Sequence, residues 1–503
     1  MKKENWSLLF ILSASVLLSL LYIPGFGHNP LSGDKEVYRY IGQVIRNGGV
    51  PYRDAFDHKP PLIFFLNYAA LLLGGDWGQW LIDTCLALLA TGAFFQLCRK
   101  YKLPYPWLLP LLFNLMIRDF YMCLGMGMTR EYTSMLLLIF FCVLLGKYRY
   151  HYFLMGLLSG LVFFTQQDQV LCLVPFFLYA FLPEQDTVPF LTRLARTAAG
   201  FLAIALPVIL YFVLHNALKD FWQDAFLFNL TWYTTTLKAS FGDHLRKLKL
   251  IMDGGNYEVV SLVSVVLGVC AVIFPNTNRK LTLASLAAVV LSIIPEFMGG
   301  RDLPTRMTGM SFTHYFLPLS ASLSILLFCV FAFSAEPALQ GRRVQVIYGI
   351  LICCSLSYTA IRFATHRPLD GYGRDIVTCQ EMYYLRAHKP KDDQLFVFGS
   401  TDYLYAFNEF RITGPSKWIY QHFYTLYDHW DNDHAILYSI RADLSSHKTT
   451  YVIDCTSSSW FRDTSAYKIW NSFLLEHYQP VNFPDKDKTD TLAQLWKLKG
   501  IPD

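Results

Sequence analysis

Charge is scarce in this chain. Only 16% of its 503 residues are Asp, Glu, Lys or Arg, against about 25% in soluble domains, while 53% are hydrophobic and the mean hydropathy is +0.30. That shortage excludes a soluble protein of this size with an ordinary charged surface. The eleven cysteines include no CxxC pair and no metal-ligand spacing. Most of them, such as Cys85, Cys142, Cys172, Cys270 and Cys329, lie inside apolar runs, where a thiol behaves as a small hydrophobe. Cys379 and Cys455 alone stand in strongly polar sequence, where an oxidising compartment would let them pair. No internal repeat relates the two halves, which argues against a transporter. No A-x-A-like site follows the first apolar run, which argues against a cleaved signal peptide. The net charge of +5 is modest, and the basic residues fall in short clusters between apolar runs. They orient the chain in a membrane and give no sign of nucleic-acid binding.

What is present from Trp6 to about Arg362 is a succession of apolar runs, the pattern of a polytopic membrane protein. Lys2 and Lys3 before the first run place the N-terminus inside, in the cytoplasm. The run 62–73 reaches only about 18 Å as a helix, too short for a ~30 Å hydrocarbon core. It reads as an interfacial or re-entrant helix, with the second span at 80–97. Further spans are expected near 104–117, 132–146, 153–165, 170–182, 198–214, 257–274, 281–295, 314–333 and 345–361. That makes about eleven crossings, with basic residues in every inside loop and the C-terminus outside. Residues 1–362 form the transmembrane domain in this reading.

Residues 363–503 read as a small extracytoplasmic α/β domain. DQLFVFGS, TTYVIDC and TLAQLWKLKG have the look of short strands. AILYSIRADL and AYKIWNSFLLEHY have helical apolar spacing. The Gly-Ser turn in VFGSTDYLY reads as a strand end in preference to a phosphate loop, and the tail carries no catalytic motif of its own.

The chemistry concentrates at span boundaries on the outer side. The stretch Ser32 to Leu62, SGDKEVYRYIGQVIRNGGVPYRDAFDHKPPL, holds more charge than a connector needs. Asp34, Glu131 and Glu296 each stand at a boundary beside basic or hydrogen-bonding residues: Lys59, then Arg130, then Arg301, Arg306 and His314. Carboxylates at that depth are costly unless paired or lining a wet cavity. Carboxylates with Arg, Lys and His suit transfer of a group from a phosphate: a carboxylate takes the acceptor's proton, and cations stabilise the departing phosphate. Structural readings stand beside these. Asp34 fits an N-cap run, Ser32-Gly33-Asp34. Glu131 with Arg130 fits an interfacial ion pair, Asp119 with Arg118 fits a structural pair, Asp57-His58-Lys59-Pro60-Pro61 fits a rigid turn, and His314 fits a buried histidine.

These segments together resemble bacterial membrane glycosyltransferases of the dolichyl-phosphate-mannose–protein mannosyltransferase superfamily. GDKEVYRYIGQVIRNGGVPYRDAFDHKPPL is similar to that family's first-loop signature: an acid, a Tyr a few residues on, a Gly-x-Pro-Tyr turn and an Asp-x-Lys-Pro-Pro-Leu run. GMTREY, GLLSGLVFFTQQDQVL and GGRDLPTRMTGMSFTHYFLPL are similar to three later motifs, so the resemblance covers roughly residues 5–335. It implies the GT-C fold and transfer, with inversion, of a sugar from a polyprenyl-phosphate donor. The acceptor would be a lipid, glycan or protein of the envelope, reached from a bacterial inner membrane.

Carried over by position, the resemblance makes Asp34 the base and Glu131 a second acid. Tyr38, Tyr52, Asp57, His58, Lys59, Arg130, Glu296, Arg301, Arg306, His314 and Tyr315 become substrate contacts. No metal or other cofactor is implied, because adjacent Arg and Lys meet the phosphate charge. Departures exist: Asp34-Lys35 stands where many members have Asp-Glu, and Thr165-Gln166 where they have Thr-Lys. An envelope oligosaccharide ligase or polymerase of related fold is the alternative enzyme.

Overall fold

A computed structural model describes residues 3–20, 22, 33–103, 105–118, 126–233, 257–273, 276–298, 316–333, 349–350, 376–419, 433–456, 464–483 and 493–501. The chain divides into two compact units. The first comprises Met1–Asn29, Asp76–Leu210 and Leu237–Pro368; the second comprises Pro30–Gly75, Tyr211–Thr236 and Leu369–Asp503.

The first unit is a helical bundle. Its helices include Lys3–Leu20, Asp76–Lys100, Leu108–Ile117, Thr129–Gly146, His151–Thr165, Tyr257–Ile273, Arg279–Met298 and Pro318–Phe333, and most of Phe190–Leu214. Among the described residues, Asp76–Lys100, Thr129–Gly146 and Phe190–Leu214 are long and apolar enough to cross a membrane. The expected run 170–182 differs. It is a 3₁₀ turn, Gln167–Leu173, followed by a short α-helix, Val174–Ala180. Pro175 lacks the N–H that would continue an α-helical ladder, so the turn before it tightens. The expected span 345–361 lies almost wholly outside the described residues.

Thr129–Gly146 is the bundle's core helix, buried all round and packed on Asp76–Lys100, His151–Thr165 and Pro318–Phe333. Phe190–Leu214 is the opposite case. Leu202, Leu206, Leu210 and Leu214 recur every four residues and are all exposed. An apolar stripe of that length is costly in water and at home against lipid chains. Polar side chains tie the first spans together: Ser15 Oγ donates to Asn114 Oδ1 (2.8 Å), whose Nδ2 donates to Thr91 Oγ1 (2.9 Å). Such interhelical hydrogen bonds replace the hydrophobic drive that lipid abolishes.

Small residues let two other helices approach closely. A Cβ on Gly156 would overlap the carbonyl oxygen of Thr197, and one on Gly200 would overlap that of Phe153. The Gly-x-x-x-Gly pattern of Gly156 and Gly160 therefore seats helix His151–Thr165 against Phe190–Leu214. Gly156→Ala is expected to force the helices apart and destabilise the chain by about 1–3 kcal/mol, the usual cost of overpacking. Thermal unfolding in detergent, followed by size-exclusion fluorescence, would check this; an unchanged midpoint would count against close packing there.

In the second unit the tail folds as a four-stranded sheet of order β1-β2-β4-β3, with β1 Leu395–Phe398, β2 Tyr451–Asp454, β3 Tyr478–Pro480 and β4 Gln494–Leu498. β1 and β2 are parallel, Leu395 opposite Tyr451. β4 pairs antiparallel with β2 and β3. The three expected strands and both expected tail helices, Ala435–Ser446 and Ser465–His477, are present. Phe396, Phe398, Val452, Leu437, Ile440, Trp470 and Phe473 make the core, with Trp470 stacked on Phe398 at 3.9 Å. Cys379 and Cys455 are not joined by a disulfide.

This sheet shares its unit with the first loop. Helix Gly33–Arg46 crosses helix Leu62–Leu72 where Gly42 meets the Asn67–Tyr68 backbone; a Cβ there would lie 2.9 Å from Tyr68 N. Leu62–Leu72 has 11 residues, in keeping with a helix too short to span. Tail residues dock on Gly33–Arg46: Asn408 Nδ2 donates to the backbone oxygen of Glu36 (3.1 Å) and to its Oε2 (2.6 Å). The backbone N–H of Gly414 donates to Tyr40 Oη (2.8 Å), and the Tyr40 ring packs on Phe407 at 5.0 Å.

Candidate functional site

Within the second unit, the first-loop signature folds as a helix, a turn and a strapped loop. Helix Gly33–Arg46 begins one residue before Asp34, so Asp34 sits inside its first turn and not at the cap. A negative charge there is favoured by the helix dipole. Glu36, one turn position on, is buried. Asp402 of the tail is drawn to the same helix start: a Cβ on Gly33 would lie 3.0 Å from Asp402 Oδ1. Burial pushes the Asp402 carboxyl up to about 6, with the charges of Glu36 and Asp34 adding to the rise.

Tyr38 is buried against Phe64. Tyr52 holds the turn in a left-handed conformation (φ 69°), which a Tyr adopts only when its surroundings over-determine it. They do: its hydroxyl donates to the Lys59 carbonyl (2.6 Å), and its ring meets Phe64, Phe212 and Phe221 at 5.5–5.8 Å. Asp57 is buried and folds back, Oδ1 accepting from the backbone N–H groups of His58 (2.6 Å) and Lys59 (3.2 Å). The expected rigid turn is therefore real, and Asp57 is what makes it.

Three further residues strap the loop, and no sequence motif announced them. Lys417 Nζ donates to the Tyr52 carbonyl (3.2 Å) and pairs with Asp224 (3.4 Å), while its own carbonyl accepts from Phe56 N–H (2.7 Å). Trp418 packs on Phe56 at 4.9 Å. Asn229 bonds both the ring and the backbone of His58. Their partners lie far off in sequence, so spacing carries no signal.

Burial pushes the Asp57 carboxyl up to about 7, with Lys59 opposing and Asp34 adding to the rise. It pushes Asp224 up to about 6 against the pull of Lys417. A carboxyl whose native value is raised stabilises the fold fully below its unfolded value near 4, and that contribution is lost as pH rises through 6–7. Backbone hydrogen-exchange protection in residues 50–60 is thus expected to fall between about pH 4 and 7 and to level off above that. Asp57→Asn keeps the acceptor oxygen and removes the charge, so it should flatten that slope. An equal slope in the variant would overturn the assignment.

The first unit holds a second cluster. Glu131 opens helix Thr129–Gly146, is wholly buried, and pairs with Arg118; its Oε2 accepts from Gly127 N–H (2.8 Å). The expected Glu131–Arg130 pair is absent, because Arg130 turns instead to Asp168 (3.2 Å). Successive residues on a helix point about 100° apart, so Glu131 and Arg130 find different partners. Asp119, expected to pair with Arg118, lies outside the described residues. Around Arg130, Thr129 Oγ1 donates to Gln166 Oε1 (2.8 Å), and Gln166 Nε2 donates to Asp168 (2.6 Å).

Asp83 was missed as well. It is fully buried within helix Asp76–Lys100, accepting from Gln79 (2.9 Å) and from the Tyr132 hydroxyl, while its carbonyl accepts from Arg118 (3.3 Å). Its signal was legible: a lone acid inside an apolar run is a membrane-depth charge.

Glu296 lies in the last turn of helix Arg279–Met298. Arg301, Arg306, His314 and Tyr315 lie outside the described residues. Among the described residues no group of three or more His, Cys, Asp and Glu is arranged to hold a metal ion.

No family model matches the chain, and no curated protein matches it in sequence. Solved structures do. The crystal structure of ArnT from Cupriavidus metallidurans bound to undecaprenyl phosphate aligns with a TM-score of 0.50 at 14% identity, covering 81% of this chain and 76% of that one. The chain has the GT-C fold. Apo ArnT from the same organism aligns with a TM-score of 0.45 at 13% identity, covering 81% and 75% of the two chains. At this identity the likeness is one of fold.

Proposed function

We propose that this chain transfers a sugar from a polyprenyl-phosphate donor to an envelope acceptor, a lipid, glycan or protein, on the outer face of a bacterial inner membrane. In this reading about eleven helices cross the bilayer, the N-terminus is cytoplasmic and residues 363–503 are extracytoplasmic. The observation that carries it is the GT-C fold combined with the first-loop motif, whose fold-mate ArnT was crystallised with undecaprenyl phosphate.

Asp34, part-exposed at the start of its helix, takes the proton of the acceptor as it attacks. Attack comes opposite the phosphate, so the anomeric carbon inverts. Lys59 and His58, held by the Asp57 turn, meet the lipid phosphate and stabilise the charge that develops on it. Arg301, Arg306, His314 and Tyr315 join them by resemblance. Tyr38 and Tyr52 set the loop's shape. Glu131 has both oxygens engaged by Arg118 and Gly127, which suits orienting the 126–131 turn more than receiving a proton.

The test is transfer of radiolabelled sugar in proteoliposomes supplied with polyprenyl-phosphate sugars. Label reaching an envelope acceptor is the expected result. Transfer only from a lipid-linked oligosaccharide would favour the ligase alternative. Solute uptake without transfer from any donor would overturn the enzyme reading.

A further inference from the structure

His58 is gripped from the segment that follows helix Phe190–Leu214. Its Nδ1 lies 2.9 Å from Asn229 Oδ1. Asn229 Nδ2 donates to two carbonyl oxygens, those of His58 (2.7 Å) and Ala225 (2.8 Å). Those carbonyls accept only, so the amide has one workable orientation: turned over, its oxygen would face two oxygens. With Oδ1 as the acceptor, Nδ1 of His58 must carry a hydrogen. In the neutral ring the lone pair then belongs to Nε2. The ring is 3% exposed and packs on Phe228 at 6.0 Å, itself wedged against Phe56 at 5.3 Å, so it has little room to flip.

We propose that Asn229 is a positioning residue that fixes His58 as the Nδ1–H tautomer and makes Nε2 the nitrogen that exchanges a proton with the lipid phosphate. This rests on the reading of the chain as a polyprenyl-phosphate sugar transferase. In the step, the acceptor oxygen bonds to the anomeric carbon and its proton passes to Asp34. The bond from that carbon to the phosphate oxygen breaks, and the electron pair stays on the oxygen. The imidazolium Nε2–H gives its proton to the phosphate, which is more basic as a monoester than as the donor. His58 is left neutral, Nδ1–H still donated to Asn229, and regains its proton from water as the lipid phosphate departs.

Among the described residues, the charged groups of the surrounding elements include Asp57 and Lys59 on the loop, Asp224 on the segment bearing Asn229, Lys417 from the tail and Asp34 on the first-loop helix.

The test uses the full chain in nanodiscs with ¹⁵N-labelled histidine, the His58 signal being the one lost in His58→Gln. Wild type should show Nδ1 protonated and Nε2 bare when neutral. Asn229→Ala should admit the Nε2–H tautomer and lower kcat about tenfold with KM unchanged. His58→Gln should lose about 10²–10⁴ in kcat, as for removal of a general acid, together with the alkaline limb of the pH profile. A neutral wild-type ring carrying its hydrogen on Nε2, or an unchanged kcat in His58→Gln, would overturn the proposal. If Asn229→Ala does not fold, the wild-type tautomer and His58→Gln decide it alone. Failure of the wider reading looks different: no transfer from any polyprenyl-phosphate sugar by wild type, with the tautomer as stated, would remove the proton exchange and leave Asn229 a purely structural partner.

Discussion

Asp34→Asn is expected to lower sugar transfer by about 10²–10⁴, the range for loss of a general base, while donor binding is kept. The substitution retains shape and one acceptor oxygen but can no longer take a proton. Its effect on folding should be small and is separable from catalysis. Losing a first-turn charge costs about 0.3–1 kcal/mol of helix-dipole interaction. Against that, Asp34 raises the carboxyls of both Asp57 and Asp402, so removing it relieves like-charge crowding. A variant that folds like wild type, binds donor and transfers nothing would assign the base. Transfer at the wild-type rate would leave Asp34 a first-turn charge and nothing more. Donor binding can be read separately, since a ligand that binds only the folded state raises the melting temperature.

The other large effect belongs to Glu131. Glu131→Leu strands the buried Arg118 guanidinium, and breaking one side of such a pair costs about 3–5 kcal/mol. The midpoint of thermal unfolding should drop by roughly 10 °C, at about 2–4 °C per kcal/mol for a domain of 150–250 residues. The double variant Arg118→Met with Glu131→Leu removes both charges and should recover most of the loss. It would still lack the Gly127 N–H acceptor that shapes the turn before the helix. A double variant that is stable yet inactive would therefore mark Glu131 as an orienting group. If the single and double variants are equally unstable, the pair is not what holds the helix start.

Some of this was written in the sequence by physical necessity. Apolar run length fixed the helices, because a backbone in lipid must satisfy its own hydrogen bonds. Thus Asp76–Lys100, Thr129–Gly146 and Phe190–Leu214 fall where hydropathy put them. The short tail strands were legible for a similar reason: four-residue apolar runs bounded by turn residues have few other ways to bury themselves. The break at Gln167–Leu173 also has a sequence signal, Pro175 inside the apolar run.

Side-chain partnership was not written there. Neighbours in sequence suggested Glu131 with Arg130, but a helix turns adjacent residues apart and the bundle supplied partners from elsewhere. The sequence by itself determined a membrane-embedded chain, its helices and a first loop dense in charge. Only the tertiary structure decided that Asp57 shapes that loop, that Lys417 and Asn229 strap it, and that Asp402 crowds the start of the Asp34 helix. Lys417 stands 365 positions from Tyr52 and Asn229 171 from His58, and desolvation, which raises the Asp57 and Asp402 carboxyls toward neutrality, exists only once the chain has folded around them.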